Sequence, residues 1–515
     1  MRRRLLISGN TPPIESYLTF KALEDGLSVQ LSKNDCEYCV DYSGDWKHLP
    51  SGSSTEEVKQ GQTLSFRSSG NINVGYDGIG TFSSTKKFKL LGRCETIICG
   101  KPMAASLRDN AFRGLFRGSQ VVSVSESFLS LTALGEYCYS EMFSDCTSLV
   151  SAPALPATEL TEHCYQSMFS GCTSLTEAPV LPATNLVQYC YQSMFEGCTS
   201  LTKAPELPAT NLEYNCYEYM FSGCTSLVSA PVLPATSAWS YCYRYMFGGC
   251  TSLTSVPALH ATSVGYSCCE GMFAGCTSLT EAPALPATTL TDYCYKSMFD
   301  GCTSLISAPA LPATTLQVSC YSSMFRACTS LAVAPALPAT TLRESCYTLM
   351  FDSCTSLTET PELPATELAK KCYMQMFKGC TSLTHAHSLS ATAAKDSCCE
   401  QMFYNCSSLT TAPALPATEL ASRCYYQMFY NCSSLTEAPA LPATTLVNYC
   451  YFNMFCYCTK LQYVKALFTT EPSNTYTAAW LSGVASTGTF VKSKDATWDE
   501  VSMNGVPSNW TIEYE

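Results

Sequence analysis

The chain has 33 cysteines, and their spacing decides which chemistry is on offer. Cys36 and Cys39 form a C-x-x-C pair, and Cys94 and Cys99 stand nearby as C-x4-C. Four thiolates brought together tetrahedrally hold zinc. The same four are weak candidates for that role, because the segments carrying them read as strands; a disulfide or ordinary buried thiols are the competing readings. His385 and His387, in "HAH", would share one face of a strand, but two histidines without a third ligand make no metal site. No phosphate-cradling glycine loop, GxSxG elbow, HExxH or zinc-deaminase signature is present. The carboxylates are scattered over places that vary from one copy of the internal repeat to the next. The chain therefore reads as a non-enzyme that needs no metal or cofactor.

Twenty-six of the cysteines belong to a pattern. The first of each pair falls at Cys138, Cys164, Cys190 and so on to Cys450, always 26 residues apart, and the second follows eight residues later. Met and Phe fill the fourth and fifth places after each first cysteine, as in "CYKSMFDGC" from Cys294. Such strict periodicity marks a solenoid, in which each unit buries its face on its neighbours. On a helix, Cys294, Tyr295, Met298, Phe299 and Cys302 span an arc of about 140° at 100° per residue, so a short amphipathic helix is expected. In "TSLISAPALPATTL", Leu305, Leu311 and Leu316 supply further inward residues. A column of prolines cannot donate to a ladder, so a short parallel strand is expected around Leu305 to Ala308 and ends near Pro309. Helices need about 8–10 Å and strands about 4.8 Å, so the stack is expected to curve, with the strands lining the inner arc. Residues eight apart on a helix are about 12 Å apart, too far for a disulfide. The 26 repeat cysteines thus read as thiols acting as small core hydrophobes. Two units replace the usual tyrosine, giving Cys268-Cys269 and Cys398-Cys399, and also lose a proline, at His260 and Ser390.

The places that the repeat does not dictate carry the binding candidates. Tyr214, Tyr219, Trp239, Tyr241, Tyr245 and Tyr266 cluster in units four to six, with Arg244 among them. Exposed aromatics offer rigid contact area for proteins and stacking faces for sugars.

Three segments must position these residues: 1–105, an all-β domain of short strand-like runs such as "YLTFKAL" and "TLSFRSS"; 106–475, the array, with a degenerate opening unit from Ala111 and then thirteen full units; and 476–515, a small cap built on Trp480, Phe490, Trp498 and Trp510. The expected architecture is an α/β solenoid of leucine-rich-repeat type between these two ends. Thirty Lys and Arg against 42 Asp and Glu argue against nucleic acid, which wants a basic stripe. No run of about 18 apolar residues suits a membrane span. The start, "MRRRLLISGNTPP", has too short an apolar run for an ordinary export signal.

The phrase "MFSGCTSL" at Met168, with "APALPAT.L" after it, resembles the BspA-like leucine-rich repeats of gut Bacteroidales bacteria and their phages, over about residues 111–470. The flanking "MRRRLL", "GIGTFSSTKKF", "WLSGVASTGTFV" and "GVPSNWTI" are similar to modules that accompany such repeats. The resemblance implies non-catalytic recognition by an adhesin or by a surface or virion-associated protein. Its partner would be a host-cell surface glycan or protein. The N-terminal domain would contact other virion or surface proteins. A cellular protein-interaction scaffold is the alternative.

Overall fold

The computed structural model describes residues 16–70, 72–99, 106–498, 501–502 and 504–515, so the basic start of the chain lies outside the described residues. Two compact bodies form, Met1–Val232 and Leu233–Glu515.

The first body opens with a sheet of six strands in the order β4-β3-β5-β1-β7-β8: β1 (Leu18–Ala22), β3 (Cys36–Val40), β4 (Lys47–Leu49), β5 (Thr63–Ser68), β7 (Phe88–Leu91) and β8 (Val121–Val124). A separate pair, β2 (Gln30–Leu31) and β6 (Phe82–Ser83), flanks it. All the pairings are antiparallel except β7 with β8. Its core is aromatic: Phe20 lies 5.2 Å from Phe66, 4.8 Å from Phe88 and 6.0 Å from Phe116. Phe116 already belongs to the first coil of the repeat array. Its ring stacks on Phe143, and Phe143 on Phe169, so one column of rings joins the sheet to the coils.

Each repeat is one coil of a β-solenoid, and its Cys-to-Cys segment is not a helix. It is a staircase of turns in which the backbone donors alternate. Lys296, Met298, Asp300 and Cys302 donate to the carbonyl three residues earlier, at 3.1–3.3 Å. Tyr293, Tyr295, Ser297, Phe299 and Gly301 donate instead to the next coil, at Val318, Cys320, Ser322, Met324 and Arg326, at 2.7–3.1 Å. A helix would direct its donors along its own axis, and beyond its first turn it would leave none for the neighbour. The chain avoids it by placing a left-handed residue before each inward pair: Tyr293 (φ 59°), Ser297 (φ 54°) and Gly301 (φ 75°). Each is the third residue of its turn, where a type II turn requires positive φ. Pairs of residues therefore point in and pairs point out. Cys, Tyr, Met and Phe of this segment are buried in every full unit, apart from the two in which cysteine replaces tyrosine.

The other side of the coil is extended. Leu305, Leu311 and Leu316 are buried, as their spacing implies, each worth about 1.5–3 kcal/mol over exposure. The expected strand around Leu305 to Ala308 shrinks to a single parallel bridge, Glu281 with Ser307, repeated along the stack as Ser151–Glu177–Lys203 and Glu359–His385–Thr411. A second bridge column passes through Thr315, Thr341 and Glu367. Among the described residues of this column only β9 (Ser237–Ala238) and β10 (Ser263–Val264) lengthen to two residues. The expected curvature rests on helices being wider than strands. With turns in place of helices, both sides of a coil repeat at a hydrogen-bonded spacing, and that reason disappears.

The repeat cysteines are buried thiols in no disulfide, though for a reason other than separation along a helix. Within the bodies, the second of the pair points its Sγ at the phenylalanine carbonyl of the previous coil, Cys302 to Phe273 O at 3.1 Å and Cys328 to Phe299 O at 3.1 Å. That carbonyl already accepts a backbone N–H, and the thiol takes its second lone pair. Cys269 and Cys399 occupy the buried tyrosine place, next to Cys268 and Cys398, and interrupt the ring column there.

At the end of the second body the coils gain true strands. β11 (Tyr463–Ala466), β12 (Thr489–Lys492) and β13 (Thr511–Tyr514) form a parallel sheet in that order. Phe455 N donates to Trp480 O as it would to a further repeat. The indole N–H groups of Trp480, Trp498 and Trp510 each reach a carbonyl, of Gly505, Phe468 and Ala485, so three large rings are buried without an orphaned donor.

Candidate binding surface

The turn staircase directs outward the two residues that follow each inward pair, and this is where the coils differ. In the second body Tyr241 (φ 60°) and Tyr245 (φ 49°) occupy left-handed places, with Arg244 between them. Trp239 precedes them and is 49% exposed, high for a ring of its size. One coil on, Gly265 packs against the Trp239–Ser240 peptide: a Cβ there would lie 2.5 Å from Ser240 N. This close approach seats Tyr266 at 5.4 Å from Tyr241, edge to face, and Tyr266 in turn meets Tyr293 at 5.4 Å. Desolvation, then the neighbouring Tyr266, holds the Tyr241 hydroxyl above its ordinary pKa.

A nearly buried carboxylate organises the cations. Glu270 accepts from Arg244 Nε at 3.1 Å and from Lys296 Nζ at 3.0 Å. Arg244 also lies 5.6 Å from the Tyr241 ring and 5.7 Å from Tyr245, and Lys296 lies 5.6 Å from Tyr293. Gly271 (φ 60°) completes the arrangement, because a Cβ would come within 2.3–2.6 Å of three Tyr245 ring atoms. The Tyr245 ring lies flat across that glycine. The five candidates of this body, Trp239, Tyr241, Arg244, Tyr245 and Tyr266, thus sit on two successive coils, and Glu270, Tyr293 and Lys296 join them.

Tyr214 and Tyr219 belong to the first body. Tyr214 is exposed and Tyr219 is part-buried at a left-handed place (φ 55°). Beside them a polar relay crosses three coils: Gln166 Nε2 donates to Gln192 at 2.5 Å, and Gln192 to Glu218 at 2.6 Å, which also accepts from Asn215 at 2.7 Å. Tyr137, His163 and Tyr189 stack face to face at 4.2 and 4.4 Å.

A further aromatic set escaped the sequence reading. Tyr404 stacks on Tyr430 at 4.7 Å, Tyr430 meets Tyr457 edge-on at 5.4 Å, and Tyr426 stacks on Phe452 at 5.1 Å. Arg423 lies 4.2 Å over Tyr426 and forks onto Glu400 at 2.8 and 3.1 Å. Its signal was present: "FYNC" occurs twice, 26 residues apart, which places the two outward rings in one column.

The metal candidates behave as core residues. Cys36 and Cys39, three apart on β3, project to opposite faces. Burial, with Asp35 and Glu37 adding, pushes the Cys36 thiol up to about 12, and burial also raises Cys39 and Cys94. The side chain of Cys99 lies outside the described residues. His385 contacts Thr384 Oγ1 at 3.3 Å, whereas His387 Nδ1 lies 2.7 Å from Thr360 O and Nε2 3.6 Å from Glu359. Among the described residues no group of three or more His, Cys, Asp or Glu is arranged to hold a metal ion. Nor, among them, is any helix long and apolar enough to cross a membrane.

Stacked 26-residue coils with invariant leucines inside and variable aromatics outside define a leucine-rich-repeat β-solenoid. The model of the BspA type Leucine rich repeat region matches residues 105–228, 214–332, 240–384 and 344–477, so the chain belongs to that family. No curated protein and no solved structure matches it.

Proposed function

We propose that this is a non-catalytic adhesion protein carried on a phage virion or tail, which binds a host-cell surface glycan or protein through outward places of its coils. The observation behind this reading is the cluster of Trp239, Tyr241, Arg244, Tyr245 and Tyr266. Inward places are held to Cys, Tyr, Met, Phe and Leu for packing, while these rings and cations lie on the surface, organised by Gly265, Glu270 and Gly271. Partly exposed rings with adjacent cations suit sugar stacking and protein hot spots alike. Family membership supports interaction or adhesion, and its members are often surface-associated. The segment 1–105 would act as the attachment module, 106–475 as the reading array and 476–515 as its cap.

The test is binding of labelled, reduced protein to a panel of gut bacterial cells and purified capsule glycans, alongside a Trp239→Ala/Tyr241→Ala variant with unchanged circular dichroism. Strain-selective binding that drops at least tenfold in the variant is expected. Binding that survives moves the site to another face. Binding to no cell or glycan replaces the adhesin with a scaffold for protein partners.

A further inference from the structure

A second site lies in the first body, where the loops of the N-terminal region meet the opening coils. A cavity of about 350 Å³ is lined by Ser32, Lys33, Asp77, Thr81, Arg113, Arg117 and Glu141, with Gly80 and Gly114 in its wall. Its shape is built in. Gly75 and Gly78 exchange backbone hydrogen bonds at 3.0 and 3.1 Å, making a tight loop with Tyr76 and Asp77 at its tip. Gly78 (φ 69°) is pressed against the first coil so closely that a Cβ would lie 2.8 Å from Asn110 O. Gly80 (φ 104°) is pressed against Lys33, where a Cβ would lie 2.8 Å from its backbone nitrogen. Asn34 Nδ2 ties down the same loop by donating to Asn73 O and Ile79 O, both at 2.9 Å.

Each cation of this cavity has a carboxylate partner, yet one guanidinium nitrogen is left without an acceptor. Lys33 pairs with Asp77 at 2.7 Å, while Glu141 serves both Arg113, at 3.3 Å, and Arg117, at 2.6 Å. Three cations thus face two lining carboxylates, with Asp145 3.7 Å from Arg117 at the edge. Arg113 lies between the Tyr76 and Tyr137 rings, 4.6 and 5.2 Å away, and its Nη1 is buried without a hydrogen-bond acceptor. A buried charged donor left without an acceptor is costly, and a second acid group beside Arg113 and Arg117 would supply one.

We infer that this cavity binds an acidic sugar of the uronic acid class. Its carboxylate lies against Arg113 and Arg117, in the forked geometry guanidinium groups favour. Its ring hydroxyls donate to Asp77 and Glu141 and exchange hydrogen bonds with Ser32 and Thr81. Tyr76, 72% exposed at the loop tip, offers a ring face at the rim. The volume sits at the low end of the ~300–1,000 Å³ typical of ligand pockets, which suits one or two sugar rings. This site is separate from the aromatic cluster around Trp239 and does not depend on it.

The experiment is calorimetric titration of the full chain with galacturonate and glucuronate disaccharides, their neutral counterparts, and sodium sulfate. Binding of a uronate at least tenfold tighter than its neutral counterpart is expected. Lys33→Gln and Arg117→Gln are the variants, since both side chains are more than half exposed and the fold does not rest on them. Arg117→Gln is expected to weaken uronate binding at least tenfold and Lys33→Gln less, with unchanged melting temperatures. The Trp239→Ala/Tyr241→Ala variant should bind uronate as the parent does, so loss of cell binding and loss of this site are distinguishable. Equal binding of acidic and neutral sugars, no uronate binding, or retention in Arg117→Gln would overturn the inference. So would sulfate competing as strongly as uronate, which would reduce the cavity to a simple anion site.

Discussion

Single residues carry the strain and the proton chemistry of this protein. The left-handed place before each second cysteine is glycine in seven of thirteen units, and elsewhere it is Asp145, Ala327, Ser353, Asn405, Asn431 or Tyr457. A side chain there costs about 1–2 kcal/mol. Ala327→Gly is therefore expected to stabilise the protein by up to about 1 kcal/mol, part of the relief being lost to the flexibility of an unfolded glycine; a denaturant titration measures it. The buried thiols make stability depend on alkali. Cys302, Cys320, Cys346 and Cys354 are raised to about 12 by burial, against about 8.5 in an unfolded chain. Folded chains thus keep protons that unfolded chains lose. Stability is intact below about pH 8.5 and falls as pH rises toward 12, by about 2 kcal/mol per such thiol at pH 10. A circular dichroism titration from pH 7 to 11 should show cooperative unfolding on the alkaline side, and a flat profile to pH 11 would contradict it.

At the scale of the element, the sequence was legible in its contacts and misleading in its backbone. Inward places at i, i+1, i+4, i+5 and i+8 fit a 3.6-residue helix, and they fit a turn every four residues equally well. Tyr295, Met298 and Phe299 are buried under either geometry, so burial alone cannot separate them. The glycine before the second cysteine separates them: a helix disfavours it, and a left-handed turn asks for it. The aromatic cluster was legible as composition, but the glycines that shape it were not, because Gly265 and Gly271 look like ordinary drift until the neighbouring coil is in place. Gly271→Gln, which puts there the residue that Gln375, Gln401 and Gln427 supply elsewhere, is expected to lift Tyr245 off the stack. Ligand binding at this face should weaken, and the side chain at this left-handed place should cost about 1–2 kcal/mol of stability. Tyr245 ring resonances in the two proteins would report the displacement, and an unmoved ring would rule it out.

For the molecule as a whole, the unvarying 26-residue step matters more than any one contact. Within each body, coils satisfy their donors with the coil that follows and with themselves, and neighbour-only contacts make repeat proteins tolerant of changes in length. Removing Cys320–Ser345 rejoins Ser319 to Cys346 with every place in register. That variant should unfold cooperatively within a few degrees of the parent in a thermal melt. Removing half as much, 320–332, puts Val333 in a cysteine place, throws the rest of that coil out of register and should abolish the transition.

The alternating hydrogen bonds also have a mechanical meaning. A helix resists tension with bonds that close within itself, whereas in the staircase from Tyr293 to Gly301 five donors are anchored only in the next coil. Under load, a coil peeled from the stack loses those anchors together and releases its whole length, about 90 Å for 26 extended residues. Within a body, such coils behave as a row of equal fuses, which yield one at a time and let the array lengthen under tension before it breaks.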